Sequence, residues 1–184
     1  ELTEDEINNY YNDNIFGDMT VRHILIKPDV ASDASDEDKK KAEEKALKEA
    51  KELIKKLDNG EKFEDLAKKE SDDEGTKEDG GLLKDFSKDS VVSEFWDASY
   101  KLKDNEYTKE PVKSEYGYHI ILRVSQKKKP ALKEVKDTIE DTLVSEKISN
   151  DSNIEKETWK KIRKKYNLEI EDSEIKSGYK SLTK

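Results

Sequence analysis

The stretch Tyr-His-Ile-Ile-Leu-Arg-Val at residues 118–124 is the clearest strand pattern in the sequence. β-Branched and aromatic residues, which favour strands, make up four of its seven positions. Successive strand residues point to opposite faces of a sheet, so His119, Ile121 and Arg123 share one face. The other face carries Tyr and aliphatic side chains, namely Tyr118, Ile120, Leu122 and Val124. The pattern predicts a strand with one apolar buried face and a histidine on the opposite face.

A second strand pattern, Thr-Val-Arg-His-Ile-Leu-Ile, occupies residues 20–26. It contains His23, the only other histidine of the chain, on the same face as Val21 and Leu25. The opposite face holds Arg22 and two isoleucines. Both histidines therefore lie in predicted strands.

The segment after this strand begins with a long amphipathic helix. Ser35 is its predicted N-cap, and Asn59-Gly60 ends it. Its apolar positions form one stripe, made of Ala42, Ala46, Ala50, Leu53, Ile54 and Leu57. A second, short helix follows at residues 63–67. Residues 71–81 have no apolar side chain and contain three glycines, which predicts an exposed loop.

The remaining elements complete an α+β pattern. We predict a short strand or an extended segment at residues 82–86 and an extended segment at residues 108–113. Between them we predict a helix with four inward residues, Phe95, Ala98, Ser99 and Leu102. The order βααβαββ, or βαααβαββ with one more short turn, predicts a four-stranded antiparallel sheet with surrounding helices.

Helical patterns flank this region on both sides. Thr3-Glu4-Asp5-Glu6 is a capping box that predicts a short first helix. After Pro130 the spacing is helical, and two apolar stripes predict two helices: Leu132, Val135, Ile139, Leu143 and Ile148 in one, and Ile154, Trp159, Ile162 and Tyr166 in the other. We expect a short extended tail at Leu168 and Ile170 and a disordered end beyond it. The predicted domains are a helical segment at 1–19, an α+β domain at 20–127 and a helical segment with a polar tail at 128–184.

The composition excludes several classes of function. Charged residues make up 44% and hydrophobic residues 32% of the 184 positions, which predicts a modest core and heavily charged outer faces. The net charge of −9 disfavours nucleic acid and anionic membranes as partners. The absence of cysteine excludes disulfides, thiolate metal sites and a cysteine nucleophile. The sequence contains no run of 18 apolar residues, so we predict no membrane-spanning helix. The chain starts at Glu1 without a signal-peptide pattern, which suggests a trimmed chain.

The two histidines allow more than one interpretation. Each is compatible with a hydrogen-bonded core histidine, and a pair of imidazoles can also bind a metal. A third histidine or a cysteine would be needed to complete a common metal site, and the sequence has neither. We therefore predict no metal and no cofactor.

Several separated blocks follow His23 in a fixed order. They are Ser71-Asp72-Asp73, Gly80-Gly81-Leu82-Leu83 with Phe86, Phe95-Trp96-Asp97-Ala98, Pro111-Val112 and Tyr116-Gly117-Tyr118-His119-Ile120-Ile121. This series resembles the parvulin family of peptidyl-prolyl isomerases over about residues 20–127, and the flanks resemble PrsA-type foldases. The resemblance implies a parvulin-like α+β domain with an all-α lobe built from both chain ends.

The resemblance also implies site residues. His23 and His119 match paired histidines that hydrogen-bond each other in the floor of the site, and Asp73 matches the acidic or cysteine position that faces the peptide bond. Ser114 matches a small hydroxyl residue near the second histidine. The walls of the proline pocket fall on Leu83, Val91 and Phe95.

The chain departs from the family pattern at several positions. Leu82-Leu83-Lys84 stands where Asp-Leu-Gly is common, Val91 and Val92 where Met and Gln are frequent, and Tyr116 where a smaller residue is often found. The loop after the first strand carries three aspartates, Asp29, Asp33 and Asp36, instead of a basic cluster. This argues against a preference for phosphoserine-proline, because a phosphate needs Arg or Lys donors.

The resemblance implies a peptidyl-prolyl isomerase and chaperone for secreted proteins, acting on unfolded clients that contain X–Pro bonds. The alternative is a parvulin-like chaperone that binds clients with little or no catalysis. A third interpretation, an acidic helical scaffold, does not explain the family positions of the histidines and the Gly-Gly loop. By the same resemblance we expect a lipoprotein on the outer face of a Gram-positive cell membrane, with a possible dimer through the helical lobe. The aromatic residues Tyr10, Tyr11, Trp159 and Tyr166 would form either the core of that lobe or a client-binding surface.

Overall fold

The computed structural model describes residues 2–151, 153–167 and 175. The chain forms two compact units: Asn14–Pro130 is one, and Glu1–Asp13 with Ala131–Lys184 is the other. The predicted tail beyond Tyr166 lies almost wholly outside the described residues. The predicted domain limits at residues 20 and 127 remain a prediction.

The helices and strands follow the predicted order. They are α1 (Glu4–Asn14), β1 (Met19–Ile26), α2 (Asp36–Asp58), α3 (Phe63–Glu70), β2 (Leu82–Phe86), α4 (Ser93–Lys101), β3 (Val112–Ser114), β4 (Gly117–Gln126), α5 (Leu132–Asn150) and α6 (Ile154–Tyr166). The sequence βααβαββ within Asn14–Pro130 confirms the α+β prediction.

The sheet is antiparallel, with the strand order β2-β1-β4-β3. In the central pair, His23 lies opposite Ile121 and Leu25 lies opposite His119. The two histidines are therefore diagonal neighbours on the same face of the sheet. This register brings together two side chains that are far apart in the sequence.

Each face of the sheet has its own core. Ile24 and Ile120 lie on the face that packs against α2 and α3, in a cluster that includes Leu53. The other face buries Val21 and Ile121 under α4 with the aromatic residues Phe86, Phe95 and Trp96. The second face also carries the histidines, so α4 covers the part of the sheet where they lie.

Local capping explains where the longest helix begins and ends. The Ser35 hydroxyl accepts a hydrogen bond from the Asp38 amide at 3.2 Å, as expected for an N-cap. At the other end Gly60 has a φ of +91°, a conformation that glycine adopts without a steric penalty. Both predicted limits of α2 are confirmed.

Two details differ from the sequence prediction. Ser71 was assigned to an exposed loop, but it is fully buried because its hydroxyl accepts a hydrogen bond from the Leu25 amide at 3.1 Å. Trp96 was not predicted to face inward, but it is buried between Phe86 and Phe16 with ring centroids 6.0 and 5.5 Å away. Hydrogen bonding and aromatic packing, rather than simple periodicity, account for both.

The helical unit has a small buried part. Ile7 of α1 and Ile139 of α5 are buried, and Lys147 pairs with Glu6 at 2.6 Å. Trp159 and Tyr166 of α6 remain 51% and 63% exposed, so their interpretation as buried lobe core is wrong for this chain. Among the described residues, no helix combines the length and hydropathy required to cross a lipid bilayer.

Candidate active site

A cavity of about 480 Å³ lies on the sheet face that carries the two histidines. Six of the seven predicted site residues line it: His23, Asp73, Leu83, Val91, Phe95 and His119. The seventh, Ser114, is buried and contacts His119 directly. The fold therefore brings all seven predicted residues to one place.

The two imidazoles form the floor of the cavity. Their ring centroids are 5.9 Å apart and the rings are inclined by 31°. His23 and His119 are 7% and 5% exposed. Phe95 from α4 contacts both rings edge-on, with centroid distances of 5.3 and 5.2 Å. The pair is thus held in place by the sheet register below and by one aromatic ring beside it.

A carboxylate and a hydroxyl flank the first imidazole. Nε2 of His23 lies 2.9 Å from Oδ2 of Asp73 and 3.1 Å from the Thr76 hydroxyl. The same Asp73 oxygen is 2.5 Å from that hydroxyl, and the other carboxylate oxygen accepts from the Gly75 amide at 3.4 Å. Asp73 is therefore fixed at the rim by three neighbours while remaining 29% exposed.

A second hydroxyl flanks the other imidazole. The Ser114 oxygen is 2.7 Å from Nε2 of His119 and accepts a hydrogen bond from the Tyr116 amide at 3.1 Å. The turn between β3 and β4 thus orients His119, and it leaves the Tyr116 side chain exposed at the mouth of the cavity.

The hydrogen bond expected between the two histidines is absent from the described structure. Nδ1 of His23 and Nδ1 of His119 are both buried, and neither has a hydrogen-bond partner among the described protein atoms. Each Nε2 is directed instead to its own flanking oxygens. The expectation of direct pairing was wrong because the two rings make their hydrogen bonds on outward-facing nitrogens.

Burial controls the charge of both histidines. Burial, together with a smaller effect of the nearby His23, lowers the pKa of His119 to about 4. Burial also lowers the pKa of His23, although the Asp73 carboxylate opposes this effect. For Asp73, burial raises the pKa, but the hydrogen bond from Thr76 and the proximity of His23 outweigh it and leave the pKa below its usual value. At neutral pH the floor is uncharged and the rim carries one carboxylate.

The loop that carries Asp73 is tied to β1 by backbone hydrogen bonds. The Asp72 amide donates to the Leu25 carbonyl at 2.7 Å, and the His23 amide donates to the Gly81 carbonyl at 2.8 Å. Gly81 has a φ of +75°, and a Cβ at this position would lie 2.1 Å from the His23 carbonyl oxygen. Only glycine fits here, because the loop lies directly against the strand that carries the histidine.

With this geometry defined, comparison with known proteins identifies the domain. Residues 23–125 match the family described as "Rotamase: PPIC-type PPIASE domain", and this span exceeds half of the chain. The chain belongs to the PPIC-type peptidyl-prolyl isomerase (PPIase) family. The resemblance identified from the sequence is confirmed.

Several relatives of this PPIC-type chain are named foldase proteins. Foldase protein PrsA 4 of Bacillus cereus is 34% identical over 183 residues, covering 100% of this chain and 57% of the relative. Foldase protein PrsA of Geobacillus kaustophilus is 40% identical over 139 residues, covering 76% of this chain and 42% of the relative. The chain spans about half the length of these curated relatives.

Solved structures agree with this family assignment. The crystal structure of peptidylprolyl isomerase PrsA from Bacillus cereus has a TM-score of 0.60 at 33% identity, covering 100% of this chain and 62% of that one. The corresponding structure from Bacillus anthracis has a TM-score of 0.58 at 34% identity, covering 92% and 67%.

Two residues at this PPIC-type site were missed from the sequence. Thr76 lies three positions after Asp73, a spacing that places an aspartate and a hydroxyl at opposite ends of a tight turn and could have identified it. Arg22 donates to the carbonyls of Asp79 and Gly80 at 2.7 and 2.9 Å and so holds the end of the same loop. Apart from its position beside His23, nothing in the sequence predicts that Arg22 binds this loop.

No cluster suited to a metal ion occurs within the described ranges, where groups of three or more His, Cys, Asp or Glu side chains in a ligating arrangement are absent. At the PPIC-type site itself, the donors are one carboxylate, two hydroxyls and two imidazoles whose outward nitrogens already have partners. The site thus combines an apolar cavity with one carboxylate at its rim, all from the protein's own residues.

Proposed function

We propose that this chain catalyses cis/trans isomerisation of X–Pro peptide bonds and assists the folding of protein clients. The observation that carries the proposal is an apolar cavity with two uncharged imidazoles in its floor and one carboxylate at its rim. This combination suits a reaction in which a ring is held while an amide rotates.

The reaction needs no covalent step. The barrier to rotation, about 18–20 kcal/mol, comes from the amide resonance that is lost when the bond twists. The uncatalysed reaction takes tens to hundreds of seconds. Lowering the barrier by about 4 kcal/mol would accelerate it about 10³-fold. A twisted amide has less charge separation than a planar one, so removal from water favours the twisted state.

We assign the following roles. Leu83, Val91 and Phe95 hold the proline ring in the cavity. Asp73 lies near the substrate carbonyl oxygen and disfavours the partial negative charge that this oxygen carries in the planar amide. The roles of the two histidines and of Ser114 are to keep the floor uncharged and rigid, a proposal supported by the Ser114–His119 contact at 2.7 Å.

The wider biological role is proposed by analogy with the foldase relatives. The clients would be unfolded or newly secreted proteins that contain X–Pro bonds. The protein would act on them after their export, on the outer face of the cell membrane. The names of the relatives, which are foldases, support this role. The negative net charge argues against nucleic acid as a partner.

A dimer through the helical unit is part of the same proposal. Val144, Ile148, Trp159 and Tyr166 expose large apolar side chains on α5 and α6, which supports a contact surface there. Sedimentation velocity over a range of concentrations tests this point. The Trp159→Lys substitution should shift the monomer–dimer equilibrium towards the monomer. If the parent chain sediments as a monomer at every concentration, the proposed dimer is contradicted.

An isomerisation assay with variants tests the catalytic proposal. We expect the parent chain to accelerate exchange of a proline-containing peptide, and the Asp73→Ala and His119→Ala variants to lose most of this acceleration while remaining folded. Unchanged rates in folded variants would remove the proposed roles. Peptide binding without any acceleration by the parent chain would instead support the alternative, a parvulin-like chaperone that only binds clients.

A further inference from the structure

Thr76 makes two short contacts inside the cavity that the function as proposed so far does not use. Its hydroxyl oxygen lies 2.5 Å from Oδ2 of Asp73 and 3.1 Å from Nε2 of His23. The side chain also lines the cavity. Three polar atoms from two separate chain segments therefore meet at one corner of the site.

The number of available protons fixes the direction of these hydrogen bonds. A threonine hydroxyl has one hydrogen to donate, and an ionised carboxylate can only accept. The Thr76 hydrogen is donated to Asp73, at the shorter of the two contacts. Towards His23, the Thr76 oxygen can then only accept, and so can Asp73. Nε2 of His23 must therefore carry the hydrogen, which leaves Nδ1 as the unprotonated nitrogen.

The backbone holds Thr76 in position for this arrangement. Its amide donates to the Asp73 carbonyl at 3.2 Å, which closes a tight turn, and its carbonyl accepts from the Gly81 amide at 2.9 Å. The Gly81 carbonyl in turn accepts a hydrogen bond from the His23 amide of β1. The hydroxyl is thus set by the same loop connection that positions Asp73.

We propose that Thr76 is a positioning residue of the isomerase site, whose hydroxyl holds the Asp73 carboxylate against Nε2 of His23 and thereby fixes the Nε2–H tautomer of that ring. The inference rests on the proposed isomerase function for its kinetic consequence. Its structural consequence, the protonation of one nitrogen of one ring, is independent of turnover. Thr76 acts through its two neighbours, so its loss should lower kcat more than it raises KM.

Two substitutions at the same position separate the hydroxyl from the shape of the side chain. Thr76→Val keeps the volume and removes the hydroxyl, whereas Thr76→Ser keeps the hydroxyl and removes a methyl group. Thr108→Val is a matched control, because Thr108 is a buried threonine that accepts a hydrogen bond from the Ile121 amide at 3.1 Å and does not line the cavity. The full chain is used in each case.

The experiment combines ¹⁵N NMR of the histidine side chains with exchange kinetics on an X–Pro peptide. We expect the parent chain, Thr76→Ser and Thr108→Val to show His23 as the Nε2–H tautomer. We expect Thr76→Val to show mixed tautomers and to lose about tenfold in kcat, the lower end of the loss expected for a hydrogen bond to a charged group. Rescue by serine is the signature that a purely structural role would not give.

Two results would overturn the inference: a parent-like His23 tautomer and kcat in Thr76→Val, or an equal loss in Thr76→Ser and Thr76→Val. If the parent chain shows no catalysed exchange, the proposed function fails. The NMR tautomers then decide the role of Thr76 by themselves, so the two failures are distinguishable.

Discussion

The carboxylate of Asp73 lies 2.9 Å from Nε2 of His23, although one residue belongs to a loop and the other to the central strand pair. The contact exists because the loop is hydrogen-bonded along β1 at both of its ends. The position of the proposed catalytic carboxylate therefore depends on the attachment of the loop to the inner strand β1, and not on the loop alone.

The charge of Asp73 should be needed for catalysis. We expect Asp73→Asn, which keeps the shape and removes the charge, to lower kcat/KM by about 10- to 100-fold, because a charged hydrogen-bonding group is worth roughly 1.5–3 kcal/mol. The measurement is peptide exchange kinetics. Asp89→Asn removes a charge from the wall of the same cavity and should change kcat/KM less than threefold. Equal losses in both variants would contradict a specific role for Asp73.

Phe95 should contribute to both binding and stability. Phe95→Leu removes the ring that contacts both histidines, so we expect a higher KM together with a loss of about 1.5 kcal/mol in the free energy of unfolding. Phe63→Leu is the control, since Phe63 is buried in the core on the opposite face of the sheet. Denaturant unfolding should show similar losses for both variants, and kinetics should show a raised KM only for Phe95→Leu. A parent-like KM in Phe95→Leu would exclude Phe95 from the proline pocket.

Gly81 should tolerate no side chain. We expect Gly81→Ala to destabilise the chain by several kcal/mol or to prevent folding, because the added Cβ would meet the β1 backbone at 2.1 Å. Gly60 has a similar positive φ, but an added Cβ would lie in open space. Gly60→Ala should therefore lower the free energy of unfolding by only about 1–2 kcal/mol. Thermal unfolding compares the two. Equal costs would mean that the loop is not held against the strand as described.

The burial of His119 should make stability depend on pH. Its folded pKa of about 4 lies below the ordinary value of 6.5, so the unfolded chain binds a proton between these values while the folded chain does not. The free energy of unfolding should therefore fall as the pH is lowered from about 6.5 to 4, by roughly 3 kcal/mol at most from this group. Unfolding curves of the parent and of His119→Gln test this, with a flatter dependence expected for the variant. An NMR titration midpoint of His119 near 6.5 would contradict the account.

The order of the strands and helices was predictable because the longer elements have a clear period. The short ones were less certain: residues 108–113 were predicted as one extended segment, whereas β3 covers only Val112–Ser114. The alternation in residues 20–26 and 118–124 placed His23 and His119 on predictable faces, and the resemblance supplied Asp73. The ring separation was not predictable, because it depends on the register of β1 against β4. Neither was Thr76 assigned, since its role depends on the closure of the turn that begins at Asp73.

The same reasoning explains the other differences. Ser71 is polar and lies in a polar stretch, yet the hydrogen bonds that its hydroxyl accepts from the Leu25 and Asp73 amides make its burial favourable. Trp96 lies beside Phe95 in α4, and both are buried because aromatic residues surround this end of the helix. Local patterns identify which residues belong to an element, and tertiary packing decides which of them are covered.

The most direct test is a two-dimensional exchange NMR experiment on a short X–Pro peptide with a catalytic amount of the chain, together with the shifts that the peptide induces in the chain's amide spectrum. We predict cis–trans cross-peaks that appear only with the chain present, and shift changes concentrated at His23, Phe95 and His119. An unchanged exchange rate with induced shifts elsewhere on the chain would contradict the claim that this cavity rotates the prolyl bond.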